Sequence, residues 1–140
     1  MSGTATKENP TAGLYHEFKA QGYDFIVGVP CSYLKGFIKE HEADSALPFI
    51  PATREDVALG IAVGAYMAGK KPLVYLQSSG LGHLVNPITS LLKPYGVSVH
   101  LLISLRRAPF EHFEMYRITR DLMKLMEYDN YTIVEEQEPE

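Results

Sequence analysis

The chain has 140 residues, enough for one domain with a buried core, and its 46% hydrophobic and 21% charged residues exclude a disordered or fibrous chain. A formal net charge of -4 argues against a nucleic-acid surface built on clustered Lys and Arg, and no apolar run is long enough to cross a bilayer. Residues 1–13 lack the apolar centre of a signal peptide, and the single cysteine, Cys31, leaves no internal disulfide, so a cytoplasmic location is expected.

Residues 1–10 are polar and aperiodic and are expected to be a flexible N-terminus ahead of a domain over residues 11–135. Residues 11–21 carry Leu14, Tyr15 and Phe18 at helical spacing, and Gly22 ends that helix. A short apolar strand over residues 25–29 closes at Pro30. Ser32 is the expected N-cap of a helix with Leu34, Phe37, Ile38 and His41 on one face. Residues 43–48 read as a loop, and Phe49 and Ile50 as a brief strand.

The most informative stretch runs from Thr53 to Gly82. Thr53 and Asp56 fit a helix start in which hydroxyl and carboxylate satisfy orphan amides reciprocally. Ala58, Gly60, Ala62, Gly64, Ala65 and Ala68 make a helix of small residues that can approach another backbone closely, with Gly69 as its stop. Leu73 to Leu76 reads as a buried strand, and Ser78 to Gly82 as a glycine loop. A helix then covers residues 84–92 with Asn86-Pro87 in its first turn, and residues 97–105 form a long apolar strand. After the loop Arg106 to Pro109 come a helix over residues 118–126, a short strand over 131–134 and an acidic tail over 136–140. Helices alternating with short strands predict an α/β fold: three layers, doubly wound, with a mostly parallel sheet between helices.

Several runs occur together in one order. They are Gly28-Val29-Pro30-Cys31-Ser32, Thr53-Arg54-Glu55, Gly64-Ala65-Tyr66 with Ala68-Gly69-Lys70, and Gln77-x-Ser79-Gly80-Leu81-Gly82 with Asn86-Pro87. The set resembles the pyrimidine-binding domain of thiamine-diphosphate enzymes, and more narrowly the α subunit of the phosphonopyruvate and sulfopyruvate decarboxylases. Arg117-Ile118-Thr119 with Leu122 extends the resemblance to the last helix. Ser78 and His83 stand where that family's loop usually has asparagines, and Arg106-Arg107 where it has arginine-glycine. The family's Pro-Gln-His segment survives only around Glu111-His112.

The resemblance implies a carboxy-lyase using thiamine diphosphate and Mg²⁺. Glu55 would be its catalytic residue, hydrogen-bonding the aminopyrimidine ring nitrogen, where a shared carboxyl proton makes the reactive tautomer accessible. Pro30, Ser79, Gly80, Leu81 and Gly82 would join Glu55 against the cofactor, and His83, Arg106, Arg107 and His112 would face an anionic substrate. The Gly-Asp-Gly…Asn-Asn segment that holds Mg²⁺ and diphosphate is missing, which implies a β subunit that carries it and a hetero-oligomer with several copies of each chain. The implied reaction turns 3-phosphonopyruvate into phosphonoacetaldehyde and CO₂, a step of phosphonate biosynthesis. The alternative converts sulfopyruvate to sulfoacetaldehyde.

Each residue also has a plainer reading. A first-turn glutamate is favoured by the helix dipole alone, and the glycines of residues 78–82 could simply supply positive φ in a turn. Cys31 reads as a small buried hydrophobe, and the arginines and histidines as surface or packing residues. A silent partner-binding domain of the same fold is a second function class. A flavodoxin-like nucleotide binder is a third, and the missing Gly-x-Gly-x-x-Gly counts against a dinucleotide.

Overall fold

A computed structural model describes residues 10–135; the expected flexible residues 1–9 and the acidic tail 136–140 lie outside it, and Pro10 is an exposed turn residue. The helices are α1 (Ala12–Ala20), α2 (Lys35–Ala43), α3 (Glu55–Met67), α4 (residues 85–95) and α5 (Phe113–Met126). The strands are β1 (Phe25–Gly28), β2 (Ile50–Pro51), β3 (Pro72–Gln77), β4 (His100–Leu105) and β5 (Tyr131–Glu135). All five strands are parallel, in the order β2-β1-β3-β4-β5.

The continuous apolar runs of β1, β3 and β4 are central because parallel strands need both faces covered. Alternate residues supply the two faces. Ile26, Leu73, Tyr75 and Leu102 pack with Tyr15 and Phe18 of α1 and Phe37 of α2, an aromatic-rich layer. Val27, Val74, Leu76, Leu101 and Ile103 pack with Ala58, Leu59 and Ala62 of α3, Ile88 and Leu92 of α4, and Met123 and Met126 of α5. At about 25 cal/mol for each Å² of apolar surface removed from water, these two layers are the main stabilising contribution.

Local differences from the sequence expectation have identifiable causes. Thr53 does not cap α3. Arg54 is extended (φ -144°, ψ 153°), so the helix begins at Glu55, and Asp56 accepts from the Arg54 guanidinium at 3.2 Å and from the Val57 amide at 3.0 Å. Ser32 likewise caps nothing; it opens a 3₁₀ turn, Ser32–Leu34, that leads into α2. Residues 78–82 are not a loop with positive φ, because Ser78–Leu84 winds as a 3₁₀ helix directly into α4.

Helix α4 runs beyond the expected Leu92 through a π-helical segment, Ile88–Leu92, and ends where Gly96 takes a left-handed conformation. Helix α5 starts five residues before the expected Ile118, and Phe49 stands outside β2. The small residues of α3 divide: Ala58 and Ala62 are fully buried against the sheet, whereas a Cβ at Gly60 or Gly64 would meet nothing within 4 Å among the described residues.

Candidate functional site

From β1 the chain moves outward to β2, whereas from β3 it moves the other way, to β4 and β5. The neighbouring carboxyl ends of β1 and β3 are therefore a topological switch point, where parallel sheets leave a crevice for ligands. Gly28 ends β1 there because any Cβ would collide with the ring and carbonyl of Tyr75. The sequence elements that draw attention on chemical grounds, residues 28–32 and 77–83, leave the sheet at these two ends.

Glu55 opens α3 and lies against the 3₁₀ turn that follows β3. Its carboxylate is packed onto Gly80 so closely that a Cβ at that position would overlap the carboxyl group and Cγ. Its side chain is only 14% exposed. His83 Nε2 is 4.0 Å from Oε2, and no described residue donates a hydrogen bond to the carboxylate. A nearly buried carboxylate usually collects two or three donors, because leaving one without them costs several kcal/mol in order of magnitude. His83 Nδ1 lies 3.5 Å from an Arg54 guanidinium nitrogen.

A second group forms around Gln77 at the end of β3. Arg106 Nη1 donates to Gln77 Oε1 at 3.0 Å, and Gln77 Nε2 bonds Ser79 Oγ at 2.7 Å and His112 Nδ1 at 3.2 Å. Ser78, fully buried, accepts the Arg106 backbone N–H at 3.1 Å and pins the start of the β4–α5 loop. Arg106 Nε is engaged by the Ala108 carbonyl at 3.2 Å.

The site residues expected from sequence thus fall into several places. Glu55, Gly80 and His83 come together, as do Ser79, Arg106 and His112. Leu81 turns into the core and serves packing. Gly82 is exposed with nothing within 4 Å of a Cβ there. Arg107 lies over the Tyr116 ring at 5.8 Å, on the α5 side. Pro30 walls a cleft of about 460 Å³ with Cys31, Ser32, Lys35, Lys39 and the carboxylate-bearing Glu42. Both lysines lack an ion pair or hydrogen bond among the described residues. The sequence reading assigned no role to Gln77, Lys35 or Lys39. An amide ending an otherwise apolar strand was the available signal for Gln77.

Among the described residues, no group of three or more His, Cys, Asp or Glu stands where it could hold a metal ion. No described helix is long and apolar enough to cross a membrane.

Comparisons with known proteins converge. Residues 10–124 match the thiamine pyrophosphate enzyme N-terminal TPP binding domain. The chain is 36% identical over 125 residues to sulfopyruvate decarboxylase subunit alpha of Methanothermobacter thermautotrophicus, covering 86% of this chain and 76% of the relative. It is 45% identical over 93 residues to the subunit of the same name from Methanocaldococcus jannaschii, covering 66% of this chain and 55% of that one. Identity to phosphonopyruvate decarboxylase of Streptomyces viridochromogenes is 36% over 113 residues, 77% of this chain but 28% of the relative.

Among solved structures, 2-oxoglutarate:ferredoxin oxidoreductase from Magnetococcus marinus shares the fold. The TM-score is 0.57 at 15% identity, over 91% of this chain and 28% of that one.

Proposed function

The chain belongs to the thiamine pyrophosphate enzyme family as its N-terminal TPP binding domain, and from that premise we propose that it is the α half of a two-component decarboxylase of 2-keto acids. The observation that carries the reading is Glu55, a carboxylate 14% exposed, pressed onto Gly80 and given no hydrogen-bond donor by the described chain. Such a group fits a ligand that brings its own donor, as a protonated ring nitrogen does. When bound, thiamine diphosphate supplies the nucleophile and electron sink that decarboxylation of a 2-keto acid requires. Glu55 holds the proton at the aminopyrimidine nitrogen, and Gly80 lets the backbone and that carboxylate share the space. Mg²⁺ and the diphosphate fall to a partner chain, a reading supported by relatives named subunit alpha.

The substrate is a three-carbon 2-keto acid with a terminal anion. Sulfopyruvate is placed ahead of phosphonopyruvate, because the 45% match is to a sulfopyruvate decarboxylase subunit. Arg106 spends Nε and Nη1 on Ala108 and Gln77, so Lys35 and Lys39 join His83 as candidates for reading that anion.

The test is Glu55→Gln in the pair reconstituted with a partner chain carrying Gly-Asp-Gly…Asn-Asn. Exchange of the cofactor's thiazolium C2 proton in D₂O, followed by quenched NMR, is expected to slow by about 10²-fold or more. Exchange at the wild-type rate in a folded, assembled variant would return Glu55 to the status of a helix-start carboxylate.

A further inference from the structure

We propose that Gln77 is a positioning residue that holds His112 in the tautomer carrying its proton on Nε2, so that the imidazole offers an N–H donor to a ligand oxygen. The inference deepens the decarboxylase reading and rests on it only for the identity of that oxygen.

A guanidinium has donors and no acceptor, so the atom of Gln77 that faces Arg106 Nη1 at 3.0 Å must be the amide oxygen. That contact fixes an amide orientation which is otherwise ambiguous. The NH₂ group then faces Ser79 Oγ at 2.7 Å and His112 Nδ1 at 3.2 Å. A nitrogen that accepts from an amide presents its lone pair, so the proton of the neutral ring sits on Nε2. No described residue takes a hydrogen bond from Nε2.

Ser79 is placed in the same way. Its oxygen accepts from Gln77, and its own hydroxyl proton has no partner among the described residues. Arg106 is held in turn by Ser78 and Ala108, so the orientation reaches His112 through a chain anchored on the fully buried Ser78. Two neutral donors, Nε2–H and Oγ–H, therefore attach to one oriented amide at the end of β3. Such donors suit an oxygen that gains negative charge during reaction, as the keto oxygen of a 2-keto acid does. If Gln77 merely tied β3 to the β4–α5 loop, the side of the ring bearing the proton would be of no consequence.

The experiment uses the full-length chain with ¹⁵N-labelled histidine, and two-bond ¹H–¹⁵N correlation at neutral pH, with His112→Gln to assign the resonances. Wild type is expected to show the Nε2–H pattern at His112. In Gln77→Glu a carboxylate accepts from both Arg106 and His112, so the pattern is expected to reverse to Nδ1–H; in Gln77→Leu, a mixture is expected. In the reconstituted pair with sulfopyruvate, Gln77→Glu should lower kcat by about 10²-fold with little change in KM.

An Nδ1–H pattern in wild type, or an unchanged pattern in Gln77→Glu, overturns the proposal, and the wild-type measurement needs no variant to fold. A reversed pattern with unchanged kcat also overturns the positioning role. A wild-type pair inactive toward every 2-keto acid sinks the decarboxylase reading alone, because the tautomer is measured without substrate.

Discussion

The cluster around Glu55 and Gln77 and the cluster beneath α1 and α2 use similar side chains to different effect. In the second, Asp44 accepts from the Tyr15 hydroxyl at 2.6 Å, from the Ala46 amide at 2.9 Å and from the Lys19 ammonium. Lys19 and then Tyr15 hold its carboxyl well below the usual carboxylate range. His41, fully buried, bonds the Pro48 carbonyl through Nε2 at 3.1 Å and stacks on Tyr15. Asp44 is used on several sides within the chain and joins α1 to α2, while His41 Nδ1 is buried with no partner among the described residues. In the first cluster Glu55 receives no donor, and Ser79 and His112 each keep a proton unspent. The difference teaches which polar group to suspect of binding something: a shielded carboxylate at the strand ends that the fold has left without a donor.

The largest effect that would break this contrast is expected at Gly80. In Gly80→Ala the new Cβ overlaps the Glu55 carboxyl group, so either that side chain or the 3₁₀ turn must move. A displacement of about 1 Å at a catalytic group costs on the order of 10²-fold, and that loss in kcat/KM is expected for the reconstituted pair. Gly60→Ala, on an open face of α3, is the matched control and should keep full activity. Equal activity in the two variants would mean that Glu55 is free to sit elsewhere.

Much of the fold was legible because burial writes itself into a chain as period. The continuous runs at residues 73–76 and 97–105 announced buried parallel strands, the second of which begins only at His100, and helical spacing located α1 and α2. The helix starts were less legible. Thr53 and Ser32 are good capping residues, but a cap depends on the dihedral of one residue, and at the start of α3 the extended residue is Arg54. Glu55 and Gly80 could be named from an ordered motif set, yet their contact could not. It depends on a turn that winds as 3₁₀ and leaves no room for a Cβ. Gln77 stayed unassigned because its partners Arg106 and His112 lie 29 and 35 residues away in sequence.

Acid should sharpen the comparison from the other side. Burial lowers the affinity of His41 for a proton below its ordinary value of 6.5, while the unfolded chain keeps that value. Below about pH 6.5 the unfolded state binds the extra proton, so stability is full above that pH and falls as pH drops toward the lowered folded value. One such proton changes the unfolding free energy by up to about 1.4 kcal/mol for each pH unit. His100, also lowered by burial, adds the same sign. Urea unfolding at several pH values should show this slope in wild type and about half of it in His41→Phe, which keeps a ring against Tyr15 and cannot titrate. Identical slopes would mean that His41 is already protonated in the folded chain.

The smallest effect tests an orphan within the aromatic layer that, unlike His41 Nδ1, cannot be removed by a change of tautomer. The Tyr75 hydroxyl is fully buried and has no hydrogen-bond partner among the described residues, and its pKa is pushed up to about 12, by burial first and then by Cys31. Its ring is fixed, because it packs edge-on against Phe37 at 5.8 Å and fills the space above Gly28. A phenol cannot turn its oxygen away from such a site without moving the ring. Tyr75→Phe deletes the unpaired oxygen and keeps the ring, so the folded state loses a desolvation cost and no hydrogen bond. Unfolding in urea is expected to show a gain of about 1 kcal/mol with an unchanged m value. If the variant is instead destabilised, the hydroxyl has a partner in solution, such as a buried water bridging it toward Cys31, and then Tyr75 belongs with the satisfied groups around Asp44.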